Sequence, residues 1–126
     1  MAKILVAEDE RDILELITFS LELGGFEVIQ AMDGLEALEK AIVEKPDLVL
    51  LDIRMPKLTG YEVCEKLKES EVTRDIPVVF ISAKGQEMEI KQGLEAGAVD
   101  YVVKPFAPDE LIRKMQEIID KYSKQG

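Results

Sequence analysis

Five residues draw notice because each follows an apolar run that reads as a strand. Glu8 and Asp9 follow Ile4-Leu-Val-Ala7, Asp52 follows Leu48-Val-Leu-Leu51, Ser82 follows Val78-Val-Phe-Ile81, and Lys104 follows Tyr101-Val-Val103. In an open α/β sheet the carboxyl ends of the strands form the edge where ligands and chemistry collect. If strands one, three, four and five lie side by side, the five groups meet in one basin. Carboxylates gathered so closely need a cation, and hard oxygen donors without imidazole or thiolate select Mg²⁺ or Mn²⁺ over zinc or copper. A divalent ion beside the Lys104 ammonium would prepare the basin for a dianionic phosphoryl group, with the Ser82 hydroxyl as a further donor. Asp52 would then be the nucleophile toward phosphorus and form an aspartyl phosphate. His is absent from the chain, which excludes imidazole acid–base catalysis and His metal ligation.

Each residue alone has a plainer reading. Acidic residues after a strand commonly start a helix, as Glu10 and Asp12 do for the first one, and a strand-end Ser commonly caps a helix. Asp47 and Asp100 fall at the amino ends of their strands, the opposite edge, and read as loop residues. Asp33 precedes Gly34 and reads as a turn or helix cap. Cys64 lies on the inward face of a helix, where packing outweighs reactivity. What distinguishes the set Glu8, Asp9, Asp52, Ser82 and Lys104 is that all five fall on the same edge.

Five alternations of strand and helix must position them. Lys3 to Ala7, Phe26 to Ala31, the run ending at Asp52, Ile76 to Ser82 and Asp100 to Val103 read as strands. Leu48 to Leu51 lack the polar alternation of a half-exposed strand, which predicts burial on both faces of a parallel sheet. Pro56 and Gly60 turn the chain over the edge after Asp52. The intervening helices carry Ile13, Leu14, Ile17 and Leu21; Leu35, Leu38, Ala41 and Ile42; and Tyr61, Cys64 and Leu67 inward. A fourth, from Met88 to Ala96, is weakly patterned and contains Gly93, which predicts the least stable helix. The last has the clearest stripe, Leu111, Ile112, Met115, Ile118, Ile119 and Tyr122. Short connections between alternating elements imply an α/β sandwich with helices on both faces of a parallel sheet.

The 126 residues fit one domain, 1–126, with a single Cys that cannot form an internal disulfide. The net charge of -10 argues against nucleic acid or an anionic membrane as direct partner. With no long apolar run, a cytoplasmic protein is expected.

Ile4-Leu-Val-Ala-Glu-Asp-Glu10, Leu51-Asp-Ile-Arg-Met-Pro56, Ile81-Ser-Ala-Lys84 and Asp100-Tyr-Val-Val-Lys-Pro-Phe106 resemble, in order, the motif blocks of the response-regulator receiver domain of two-component signalling. The resemblance spans the chain. It implies a flavodoxin-like (βα)₅ fold with strand order 2-1-3-4-5, an order the receiver family is known for. It also implies that Asp52 accepts a phosphoryl group from a sensor histidine kinase or a histidine phosphotransfer protein. Asp9, Asp52 and the backbone carbonyl of Arg54 would hold Mg²⁺ (or Mn²⁺), with Glu8 in support, and Lys104 would pair with the phosphoryl group. Ser82 and Tyr101 match the switch pair that reshapes helix four, strand five and helix five, and Lys104-Pro105 matches a cis bond. Arg54 and Lys84 match positions that tune dephosphorylation; both are donors at neutral pH, which predicts slow decay. Glu8 and Thr59 depart from the pattern, since Asp is common at both.

A dinucleotide-binding fold is excluded, because Glu8-Asp9-Glu10 stands where a Gly-rich turn is needed. A phosphatase of the haloacid dehalogenase type would carry a second Asp where Arg54 stands, so no enzyme acting on outside substrates is expected. The remaining alternative is a phosphorylation-independent interaction module. The chain stops just after the last helix, which suits a stand-alone receiver acting on a downstream protein or in a phosphorelay. It reads as a monomer, or as a dimer through the helix four–strand five–helix five face once phosphorylated.

Overall fold

The computed structural model describes residues 2–83 and 87–123. Among these residues the strands are β1 (Lys3–Ala7), β2 (Glu27–Ala31), β3 (Leu48–Asp52), β4 (Val78–Ala83) and β5 (Asp100–Lys104). The helices are α1 (Arg11–Leu23), α2 (Gly34–Glu44), α3 (Gly60–Glu69), α4 (Glu87–Glu95) and α5 (Pro108–Ser123). All strand pairs are parallel, in the order β2-β1-β3-β4-β5. The fold is therefore the flavodoxin-like sandwich that the motif blocks imply.

Two cores flank the sheet, and alternate strand residues feed them. Ile4, Val6, Leu48, Leu50, Val79 and Ile81 pack with α1 and α5, whereas Leu5, Ala7, Val49, Leu51, Val78 and Phe80 pack beneath α2 and α3. This double demand explains why the β3 run is apolar without alternation. Leu48, Val49, Leu50 and Leu51 all have 0% exposure, and each contributes about 1.5–3 kcal/mol of transfer free energy. Asp52 ends this run and is itself only 9% exposed.

Local chemistry sets the element boundaries. The Asp33 carboxylate caps α2 by accepting the Glu36 amide at 2.8 Å, the capping role expected of it. Thr59 and Glu62 form a reciprocal capping box at the start of α3. Strand β4 begins at Val78, two residues later than the sequence suggests, because Pro77 has no amide to donate, although its carbonyl accepts Val49 N at 3.0 Å. Strand β2 begins at Glu27, and the amide of buried Phe26 instead closes the end of α1 on Leu21 O at 3.1 Å. Asp47 lies just before β3 and its carboxylate accepts Lys3 N at 2.7 Å. Asp100 opens β5, where the strand pattern puts it, and its carboxylate takes the Tyr101 amide and Lys114 Nζ.

The inward face of α2 differs from the predicted stripe. Leu35 and Ile42 are each 44% exposed, whereas Ala41 is buried and Leu38 packs against the core as expected, and Ala37 joins them on the buried face. Small residues let this helix sit close to the sheet, so size rather than hydrophobicity selects its contact side. Val63 similarly joins Cys64 and Leu67 on α3. The Cys64 thiol is fully buried, and desolvation pushes it up to about 11, which leaves it unreactive as expected.

Gly93 of α4 also has a packing role that its low helix propensity hides. A Cβ there would lie 2.5 Å from Phe80 Cδ2 and 2.8 Å from Cε2, on a ring that is 1% exposed. Propensity alone favours Gly93→Ala by about 1 kcal/mol, whereas overpacking of a filled site costs about 1–3 kcal/mol. Urea unfolding of Gly93→Ala is expected to show net destabilisation; a gain in stability would mean that α4 can lift off Phe80 freely.

Candidate functional site

The strand order brings the carboxyl ends of β1, β3, β4 and β5 side by side. A cavity of about 280 Å³ opens there, lined by Asp9, Asp52, Arg54, Ser82, Glu89 and Lys104 among others. A larger groove of about 450 Å³ lies at the opposite edge, around Pro46, Lys68, Pro77 and Tyr122. Four of the five expected groups, Asp9, Asp52, Ser82 and Lys104, line the smaller cavity, and geometry rather than size identifies the site.

Carboxylate oxygens of Glu8, Asp9 and Asp52 lie within 4.8 Å of one another, a spacing one cation can bridge. Every donor is a hard oxygen, as Mg²⁺ or Mn²⁺ requires. Glu8 has 0% exposure and Asp9 is exposed, so the cluster has one sealed side and one open to solvent. Oε1 of Glu8 accepts from Lys104 Nζ at 3.2 Å and Oε2 accepts the Glu10 amide at 3.1 Å. Burial raises the Glu8 carboxyl to about 7; the Glu10 amide opposes this, the neighbouring Asp52 charge adds to it, and Lys104 opposes it. Lys104 therefore rests on Glu8 in this state, while remaining on the rim of the cavity next to Asp52. The Lys104-Pro105 bond is cis.

Ser82 is 3% exposed, and its Oγ lies 3.4 Å from Ala83 O and 3.5 Å from Glu89 Oε1. The Arg54 amide is 3.4 Å from Asp52 Oδ1. The Arg54 side chain is engaged by Glu89. Its Nε and Nη2 donate to Glu89 Oε2 at 2.9 and 2.8 Å. Tyr101 is half-buried against the α2–α3 core, with Lys114 Nζ 5.4 Å from its ring centroid. Lys84 lies outside the described residues. Glu89 was not foreseen: it sits in the weakly patterned fourth helix, and its pairing with Arg54, 35 positions away, has no local signal.

A family model described as response regulator receiver domain matches residues 4–116. The chain belongs to this family. Among curated relatives, this receiver is 45% identical over 117 residues to the alkaline phosphatase synthesis transcriptional regulatory protein PhoP of Bacillus subtilis, covering 93% of this chain and 48% of that protein. It is 41% identical over 116 residues to the phosphate regulon transcriptional regulatory protein PhoB of Pseudomonas aeruginosa, covering 92% and 51%. The chain thus spans about half the length of these relatives. Among solved structures, a putative response regulator from Chloroflexus aurantiacus superposes with a TM-score of 0.91 at 31% identity, covering 94% of this chain and 98% of that one. A receiver domain from Clostridium thermocellum gives 0.91 at 30% identity and covers 100% of both chains. Among the described residues no helix is long and apolar enough to cross a membrane.

The raised Glu8 carboxyl of this receiver has a thermodynamic signature. An acid whose folded pKa of about 7 exceeds its ordinary 4.5 binds more protons when folded, so its contribution to stability falls as pH rises between those values. In metal-free buffer, wild type should lose stability relative to Glu8→Gln between pH 5 and pH 8, read by urea unfolding. Parallel pH curves for the two proteins would contradict the assignment.

Proposed function

We propose that this receiver is a phosphoacceptor of a two-component system, taking a phosphoryl group onto Asp52 from a phosphohistidine of a sensor kinase or phosphotransfer protein. The observation that carries this reading is the placement of Asp52. It is a nearly buried carboxylate at the tip of the central strand, within ligand-sharing distance of Glu8 and Asp9 and on the same cavity as Lys104 and Ser82.

A carboxylate oxygen of Asp52 attacks phosphorus as the phosphorus–nitrogen bond of the donor breaks, and the electron pair stays on the imidazole nitrogen. Asp9, Asp52 and the Arg54 carbonyl would hold Mg²⁺, with Glu8 in support; the ion would neutralise charge on the transferring group. Lys104 lies 3.2 Å from a carboxylate with which it shares the edge, and moving to the new phosphoryl oxygens exchanges one anion for a stronger one. The Ser82 hydroxyl would turn from its present carbonyl and carboxylate acceptors to the same oxygens. Space vacated by Ser82 would admit Tyr101, and the α4–β5–α5 face would change as a result.

The relatives named for transcription suggest the setting: a cytoplasmic regulator in which this segment is the control element. Its net charge of -10 suits protein contacts rather than DNA contacts, with a monomer-to-dimer change on the α4–β5–α5 face as the output. No turnover of outside phosphoesters is expected.

Incubation with acetyl phosphate and Mg²⁺ should add one phosphoryl mass to wild type and none to Asp52→Asn, because an amide is not a nucleophile there. Asp9→Asn should need at least tenfold more Mg²⁺ for the same rate. Wild type left unmodified at saturating donor would instead favour a receiver that signals by binding alone.

A further inference from the structure

Glu89 stands apart from the residues given roles above, yet it touches the site from three sides. It is the third residue of α4, and its side chain is only 17% exposed although the partner side chain, Arg54, is 77% exposed. Oε2 accepts both Nε and Nη2 of Arg54, at 2.9 and 2.8 Å, from the loop after β3. Oε1 lies 3.5 Å from Ser82 Oγ at the end of β4. The backbone carbonyl of the same residue accepts the Tyr61 hydroxyl of α3 at 3.0 Å, and the Tyr61 ring meets Phe80 edge-on at 5.6 Å between centroids. One glutamate thus joins the first turn of α4 to the β3–α3 loop, to β4 and to α3. Both charge-assisted bonds fall on one carboxylate oxygen that is largely shielded, while solvent screens them from the side of the exposed guanidinium.

Arg54 and Ser82 are also donors that line the cavity in which Asp52 sits. A phosphoryl group on Asp52 would bring a dianion into that cavity, competing with Glu89 for both donors and repelling its carboxylate. We propose that the Glu89–Arg54 pair is a latch that keeps the start of α4 closed over the pocket before phosphorylation, so that Glu89 is a positioning residue setting the threshold of the switch. The phosphoryl group opens the latch by taking its donors. This proposal rests on the phosphoacceptor reading of Asp52, but the closed state it describes exists without phosphate.

Two measurements on wild type, Glu89→Gln, Arg54→Met and the double variant test it. Hydrogen exchange of the unphosphorylated proteins is expected to rise at least tenfold in the first turns of α4 in each single variant, with no further rise in the double. Phosphoryl uptake from acetyl phosphate with Mg²⁺ is expected to be at least fivefold faster in Glu89→Gln than in wild type. Unchanged exchange in Glu89→Gln, or single effects that multiply in the double variant, would overturn the latch. Raised exchange with an unchanged uptake rate would overturn its role as threshold. If wild type takes up no phosphate at all, the phosphoacceptor reading fails, and the exchange data alone decide whether the closed state depends on the pair.

Discussion

The contact between Lys104 and Glu8 is the interaction on which the site depends. It ties residues 96 positions apart, at the ends of β5 and β1, with two other strands between them. A long side chain can make that reach only if β1, β3, β4 and β5 are adjacent and end level with one another. The pair also relieves what would otherwise be an expensive arrangement. A fully buried glutamate beside two other carboxylates is opposed by desolvation and by like charge, and one ammonium and one backbone amide offset part of that cost. The remaining imbalance makes the basin receptive to a cation. Stability is given up at the carboxyl edge, and the two cores beneath supply it.

Those cores are not equivalent. Beneath α1 and α5 the contacts are large aliphatics from every layer, with Leu14, Ile17, Leu21, Leu111 and Met115 at 2% exposure or less. On the other face α2 uses alanines, and α4 approaches through the bare backbone of Gly93. A helix seated through a glycine on an aromatic ring has few side chains anchoring it there. Its position then leans on polar contacts at its ends, including those of Glu89 and the Cys64 thiol's contact with Ala96 O at 3.5 Å. Polar contacts at a helix end respond to charge placed nearby; an interdigitated aliphatic seam does not.

The legible part of the sequence was the part governed by short-range rules. An apolar run ending in a polar or charged residue marks a buried strand and its edge, so the pattern alone places Glu8, Asp9, Asp52, Ser82 and Lys104 together. Asp33 preceding Gly34 marked a cap, and the structure bears that out. Less legible was anything decided by distance of approach. Leu35 and Ile42 match a helical stripe as well as Ala37 does, but Ala37 and Ala41 are the fully buried residues and Leu38 packs at their side. Gly93 reads as weakness in a helix and is a packing requirement in the fold. The pairing of the Arg54 side chain with Glu89 has no local signal either, because the partner is selected by the tertiary placement of α4. The sequence carries the edge of the sheet clearly and the roof above that edge hardly at all.

The complete burial of β3 has a mechanical consequence. All five of its residues are enclosed, with parallel partners on both sides and a core on each face. Such a strand has little compliance, because shifting it would open two densely packed interiors at once. If a bulky group were attached to its tip, as proposed, it could not recoil into the protein, and the displacement would go outward, toward the more softly mounted α4. Rigid at the tip of β3 and yielding one layer away, the fold would act as an anvil under a spring, and the direction of the proposed signal would be set before a ligand arrives.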